Sequence, residues 1–153
     1  MRLLFVLAAL LLTLPVSAQK AQEPTLPQMN LARNWLELLD AGRFEQAWTE
    51  AAPSLRSGTD LARWTQDVRK ARHSDAAVTC RHGLALERLD HPPRIAALFV
   101  TEFADGHRIG EKVTLPADAA QAGDVTAYRA GPPATGRGGP CDSGRPATTG
   151  STP

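Results

Sequence analysis

Trp35-Leu36-Glu37-Leu38-Leu39-Asp40-Ala41-Gly42-Arg43-Phe44-Glu45-Gln46-Ala47-Trp48 reads as two amphipathic helical segments broken at Ala41-Gly42. Upstream, Leu31, Trp35, Leu38 and Leu39 fall at i, i+4, i+7 and i+8, one apolar stripe on a helix running from about Pro27 or Asn30 to Asp40. Gly42 is the expected stop, because glycine takes a positive φ without penalty. A second helix is expected over about Arg43–Ala51, with Phe44, Ala47, Trp48 and Ala51 on its stripe and Pro53 ending it. A third is expected from Asp60 to about Arg72, capped by Thr59 or Asp60, with Leu61, Trp64, Val68 and Ala71 facing inward.

Beyond His73-Ser74-Asp75 the period changes. Val78 to Leu89 alternates loosely, and Arg94 to Ala104 is apolar on both faces, as in a central strand. Asp105-Gly106 is a two-residue hairpin signal. His107 to Leu115 alternates again, and Asp124 to Arg129 is a candidate last strand. Helices first and a meander afterwards mean an α+β domain, about three helices packed on a curved antiparallel sheet of three to four strands.

The flanks read differently. Residues 1–18 have the form of a signal peptide: Arg2, an apolar run from Leu3 to Leu14, and a small-residue site at Val16-Ser17-Ala18. They predict a periplasmic or secreted protein with no stable membrane insertion after cleavage. From Ala130 to Pro153 the chain is rich in glycine and proline, and its apolar side chains are three alanines and Cys141. Such a segment buries too little surface to offset its ordering entropy, so a disordered tail is expected over 130–153 and one domain over 25–129. With 17 basic and 16 acidic residues, the chain lacks the basic footprint of a nucleic-acid-binding protein.

Candidate chemistry is sparse. A two-residue loop at Asp105-Gly106 sets Ala104 opposite His107, Glu102 opposite Ile109 and Val100 opposite Glu111. Glu102 and Glu111 then become diagonal neighbours on an aliphatic face, roughly 5.5–8 Å apart. Close carboxylates split their pKa values, which is how acid/base pairs arise. A helix arginine, such as Arg69 or Arg72, would convert either one into a structural ion pair. His73, His82, His91 and His107 show no ligand spacing, so no metal or cofactor is expected. Cys80 and His82 share a strand face without a third group. In an oxidising compartment Cys80 and Cys141 form a possible disulfide, with two unpaired thiols or a dimer through Cys141 as the alternatives. No nucleophile elbow, phosphate loop or dinucleotide fingerprint occurs in the chain.

Trp35, Leu36, Asp40, Gly42, Phe44, Trp48, Ala51-Ala52, Trp64, Arg72, Arg81, Phe99, Thr101, Phe103-Ala104, Glu111 and Val113-Thr114-Leu115 form an ordered series over about Leu31 to Tyr128. In that series the chain resembles the bacterial family catalogued as domain of unknown function 4019. The resemblance implies an exported domain of the small cone-shaped kind, nuclear-transport-factor-like or cystatin-like, and implies no activity. The chain departs from the family pattern at His73-Ser74, where Leu-Gly is usual. It departs again before Tyr128, where the usual tryptophan is absent.

Three readings of function follow. The first is an exported non-enzymatic domain that binds a protein, peptide or small ligand. The second is a small isomerase or hydratase using Glu111 or Glu102 with Tyr128. The third is a structural envelope protein without ligand. A buried, unpaired Glu111 in a pocket between sheet and helices favours the enzyme. A filled core with Glu111 paired to arginine removes it.

Overall fold

A computed structural model describes residues 27–133. The expected signal peptide and Cys141, with all of the tail from residue 134 onward, lie outside the described residues. Four helices precede four strands: α1 (Pro27–Asp40), α2 (Phe44–Glu50), α3 (Pro53–Arg56), α4 (Leu61–Arg72), β1 (Val78–Leu89), β2 (Arg94–Phe103), β3 (Arg108–Pro116) and β4 (Ala127–Gly131). A short 3-10 turn at Ala122–Asp124 precedes β4. The sheet is an antiparallel meander in the order β1-β2-β3-β4.

The helical half follows from its stripes. Gly42 ends α1 at φ 70°, and Asp60 caps α4 by accepting a hydrogen bond from the Arg63 amide at 2.8 Å. Pro53 departs from expectation. It opens α3, where its missing N–H is no loss, rather than simply closing α2. Trp35 is fully buried. Its ring lies 6.3 Å from that of Trp64 and 5.5 Å from that of Tyr128. Its indole N–H donates to the Ala47 carbonyl at 3.0 Å, which ties α1 to α2. Met29, Leu36, Leu39, Val68, Ala97, Phe99, Val113 and Leu115 complete a core between the helices and one sheet face. Strands β2 and β3 are central, as the two-faced apolar pattern of β2 requires. The last strand forms and runs two residues past the expected domain end, since Ala130 pairs with Glu111 and Gly131 with Gly110.

The β2–β3 register is one residue away from the expected one. Phe103 pairs with His107 through its amide, at 2.9 Å from the His107 carbonyl, and the Gly106 amide closes a turn on the Phe103 carbonyl at 2.9 Å. The loop therefore has three residues, Ala104-Asp105-Gly106. A two-residue type I′ loop needs positive φ at both of its residues. Here Gly106 takes φ 82° and Asp105 does not, the form of a type I turn followed by a left-handed residue. The Asp105 carboxylate fixes it by accepting from the His107 amide at 2.9 Å and the Ser74 hydroxyl at 2.8 Å. These two hydrogen bonds hold the carboxyl below its ordinary range.

A one-residue slip exchanges faces. Thr101 pairs with Ile109, Glu102 with Arg108 and Phe99 with Glu111. Phe99, Thr101, Phe103, Ile109, Glu111, Val113 and Leu115 thus share the face toward the helices. Glu102 lies on the opposite face, 3.8 Å from the Arg108 guanidinium.

Candidate functional site

The expected Glu102–Glu111 carboxylate pair does not exist, because the two side chains point to opposite sides of the sheet. The inner face instead gathers Glu111 with two arginines, an aspartate, a threonine and the tyrosine. Each arrives for a local reason. Asp40 is the last residue of α1, where the negative end of the helix dipole opposes a carboxylate; two guanidinium groups offset that penalty. Arg72 closes the inward stripe of α4. Arg81 sits between two irregularities of β1, at Val78/Cys80 and Gly83/Ala85, and lies directly across from Thr101. Tyr128 on β4 is diagonal to Glu111 on β3.

The geometry leaves little unused. Arg81 grips Asp40 with a two-pronged fork, Nη1 to Oδ2 at 2.6 Å and Nη2 to Oδ1 at 2.9 Å. The same guanidinium reaches Glu111 Oε2 from Nη2 at 3.0 Å and from Nε at 3.2 Å, and its Nε also donates to Thr101 Oγ1 at 3.0 Å. The Thr101 hydroxyl donates to Glu111 Oε2 at 2.5 Å. Tyr128 donates its hydroxyl proton to Glu111 Oε1 at 2.7 Å. Arg72 Nη2 meets Asp40 Oδ1 at 2.5 Å, and its Nε lies 3.6 Å from Glu111 Oε1. The Arg72 guanidinium also covers the Phe103 ring at 5.3 Å from the centroid.

Two positive and two negative charges balance within the cluster. The Glu111 side chain has 0% of its surface exposed, against 20% for Asp40. Of the four charged side chains in the network, Asp40 is therefore the one most open to solvent. Burial alone would lower the Arg81 pKa, but the hydrogen bonds to Asp40 and the charge of Glu111 outweigh it and hold the group above its usual value. Burial, reinforced by the neighbouring Glu111 charge, pushes the Tyr128 hydroxyl far above the ordinary tyrosine range.

Tyr128 is the only tyrosine in the chain, so it reports on the network alone. A tyrosine whose folded pKa is raised contributes stability that is fully present below its unfolded pKa, about 10, and is lost as pH rises beyond it. An alkaline titration should show no phenolate absorbance in the folded protein at pH about 10–11, and phenolate should appear together with unfolding. Phenolate absorbance rising at pH about 10 without unfolding would place Tyr128 outside the network.

The remaining candidates scatter. Of the two helix arginines expected near a carboxylate, Arg72 joins Glu111, whereas Arg69 lies over the Phe44 ring at 5.0 Å. Cys80 is disulfide-bonded rather than free. His73 and His107 face each other with ring centroids 6.1 Å apart. Among the described residues no group of three or more His, Cys, Asp or Glu side chains is placed to hold a metal. Arg81 and Asp40 carry no site role in the sequence reading. Their visible signal was membership of the family series as charged residues among apolar ones.

Hollows open on either side of Asp40. One, of about 220 Å³, has Asp40, Phe44, Arg69, Arg72, Asp75 and Phe103 in its wall. The other, of about 500 Å³, runs between α1 and β1 past Arg33, Glu37, Ala77, Thr79 and Arg81. Residues 31–128, well over half of the chain, match the family described as Protein of unknown function (DUF4019). The chain belongs to this family. No curated protein and no solved structure matches it. The matched segment contains all six residues of the DUF4019 chain's buried network, from Asp40 at the end of α1 to Tyr128 on β4.

Proposed function

We propose that the protein is an exported, non-enzymatic domain that acts by binding a protein, peptide or small ligand, on a cone-shaped scaffold of the nuclear-transport-factor-like kind. One observation supports this above the others: both oxygens of Glu111 are committed. Oε2 accepts from Arg81 and Thr101, and Oε1 accepts from Tyr128. A general base needs a free lone pair within reach of a substrate proton. The site left on Oε1 faces the buried Arg72 Nε at 3.6 Å, and the Glu111 side chain has no exposed surface from which a substrate proton could reach it. Tyr128, the proposed partner acid, already spends its proton on Glu111. These commitments weigh against Glu111 with Tyr128 as an isomerase or hydratase pair and support the binding reading.

Binding is better served by the surface at the solvent end of the network. There the α1–β1 hollow runs along β1, a twelve-residue edge strand. Export rests on the signal-like residues 1–18, and no helix among the described residues is long and apolar enough to cross a membrane.

A thermal-shift screen of peptides and metabolites, read alongside mass spectrometry, tests the proposal. A true binder raises the melting temperature by mass action and is recovered unchanged. A compound converted to product by the protein, with conversion abolished in Glu111→Gln, would overturn the reading and install the enzyme.

A further inference from the structure

We infer that the hollow of about 220 Å³ among the end of α1, α4 and the start of β1 is a binding site for a free amino acid with an apolar side chain, its carboxylate held by Arg69 and Arg72 and its ammonium group by Asp75. The inference rests on the binding reading above and gives it a place and a ligand class. The hollow is smaller than the roughly 300–1,000 Å³ of sites for drug-sized molecules, so its occupant is small.

The two buried arginines of the network are used unequally. Arg81 donates to Asp40, Glu111 and Thr101 from all three of its side-chain nitrogens. Arg72 is as deeply buried, at 5% side-chain exposure against 6%. Yet among the described residues its guanidinium makes one hydrogen bond, from Nη2 to Asp40, and its Nε has no hydrogen-bond partner. A guanidinium carries five N–H donors, and buried donors left unused are costly. Arg72 forms part of the wall of the hollow, so an anionic acceptor bound there supplies what the fold does not. Arg69 precedes it by three residues on α4, hence on the same side of the helix. Its guanidinium lies over the Phe44 ring, and no ion pair among the described residues involves it. Stacking uses the flat face of a guanidinium and leaves its N–H edge for a carboxylate.

Two arginines alone would suit any small carboxylate. The acidic residues of the same wall narrow the choice. Asp40 is neutralised by Arg72 and Arg81. Asp75, in the loop between α4 and β1, belongs to no ion pair among the described residues. A bare anion would meet the Asp75 charge at like sign, whereas an ammonium group on the same molecule pairs with it. Leu39, Val78 and Phe103 supply the apolar part of the lining. A carboxylate, an ammonium group and an apolar side chain within so small a volume describe a free amino acid.

Titration calorimetry of the full chain with leucine, leucinamide and isocaproate, which is leucine without its amino group, tests the site. Leucine should bind saturably, and each analogue should bind at least about tenfold more weakly. Arg69→Ala and Asp75→Asn, both at exposed positions, should each weaken leucine about tenfold or more while melting with the parent. Leucine that does not bind, or that binds unchanged to either variant, would overturn the site. Isocaproate bound as tightly as leucine would overturn the amino-acid assignment. After either failure the binding reading still stands if the peptide and metabolite screen yields another ligand recovered unchanged. Conversion of leucine to a product, abolished in Glu111→Gln, would instead overturn the binding reading on which this site rests.

Discussion

Glu111→Ala should lower stability by about 3–5 kcal/mol, a large share of what a domain of this size possesses. The substitution removes one negative charge from a balanced quartet. It leaves Arg81 and Arg72 buried against Asp40 alone, with Arg81 at 6% and Arg72 at 5% side-chain exposure. The Tyr128 hydroxyl and the Thr101 hydroxyl lose their acceptor at the same time. Each buried polar group left unpaired costs about 1–3 kcal/mol. Thermal unfolding followed by circular dichroism should show the melting temperature falling by roughly 12 °C or more, at about 4–8 °C per kcal/mol. A catalytic carboxylate behaves in the opposite way, since removing it often leaves stability unchanged or improved. Glu111→Leu combined with Arg81→Met should recover part of the loss, because an apolar pair of similar volume avoids the desolvation that an unpaired charge suffers.

Trp35→Ala should cost about 3–5 kcal/mol by a different route. Trp35 sits where α1, α2, α4 and β4 meet, in ring contact with Trp64 and Tyr128. Truncation opens a cavity that four elements would have to close together. It also removes the indole donor from the Ala47 carbonyl. Trp35→Phe separates the two effects: it keeps most of the apolar surface, loses the hydrogen bond, and should cost about 1–2 kcal/mol. Denaturant melts of the three proteins check the order. If Trp35→Ala melts with the parent, the tryptophan does not hold the helices to the sheet.

The helical half was legible in the sequence because its apolar residues recur at a spacing only a helix brings together. Trp35, Trp64 and Val68 fall where their stripes place them. The sheet was legible in its strands but not in its register. Asp105-Gly106 suits both a two-residue loop and the last two positions of a three-residue loop. The Asp105 carboxylate's bonds to His107 and Ser74, which fix the observed turn, depend on tertiary contact. That one-residue difference moved Glu102 to the outer face and dissolved the expected carboxylate pair. The role of Arg81 was hidden for a related reason. Its orientation depends on two irregularities in β1, and strand parity counted along the chain does not reveal them. Asp40 looked like an ordinary exposed residue at a helix end, and only the two arginines explain it. The buried network was therefore visible as a set of charged residues in the right order, without the geometry that joins them.

The central claim is that Glu111 and Arg81 form one structural unit, and a double-mutant cycle on Arg81→Ala and Glu111→Ala tests it most directly. Each single variant should lose about 3–5 kcal/mol, and the double variant should lose less than their sum by on the order of 2–3 kcal/mol. Losses that add within about 0.5 kcal/mol, or a Glu111→Ala protein as stable as the parent, would contradict it.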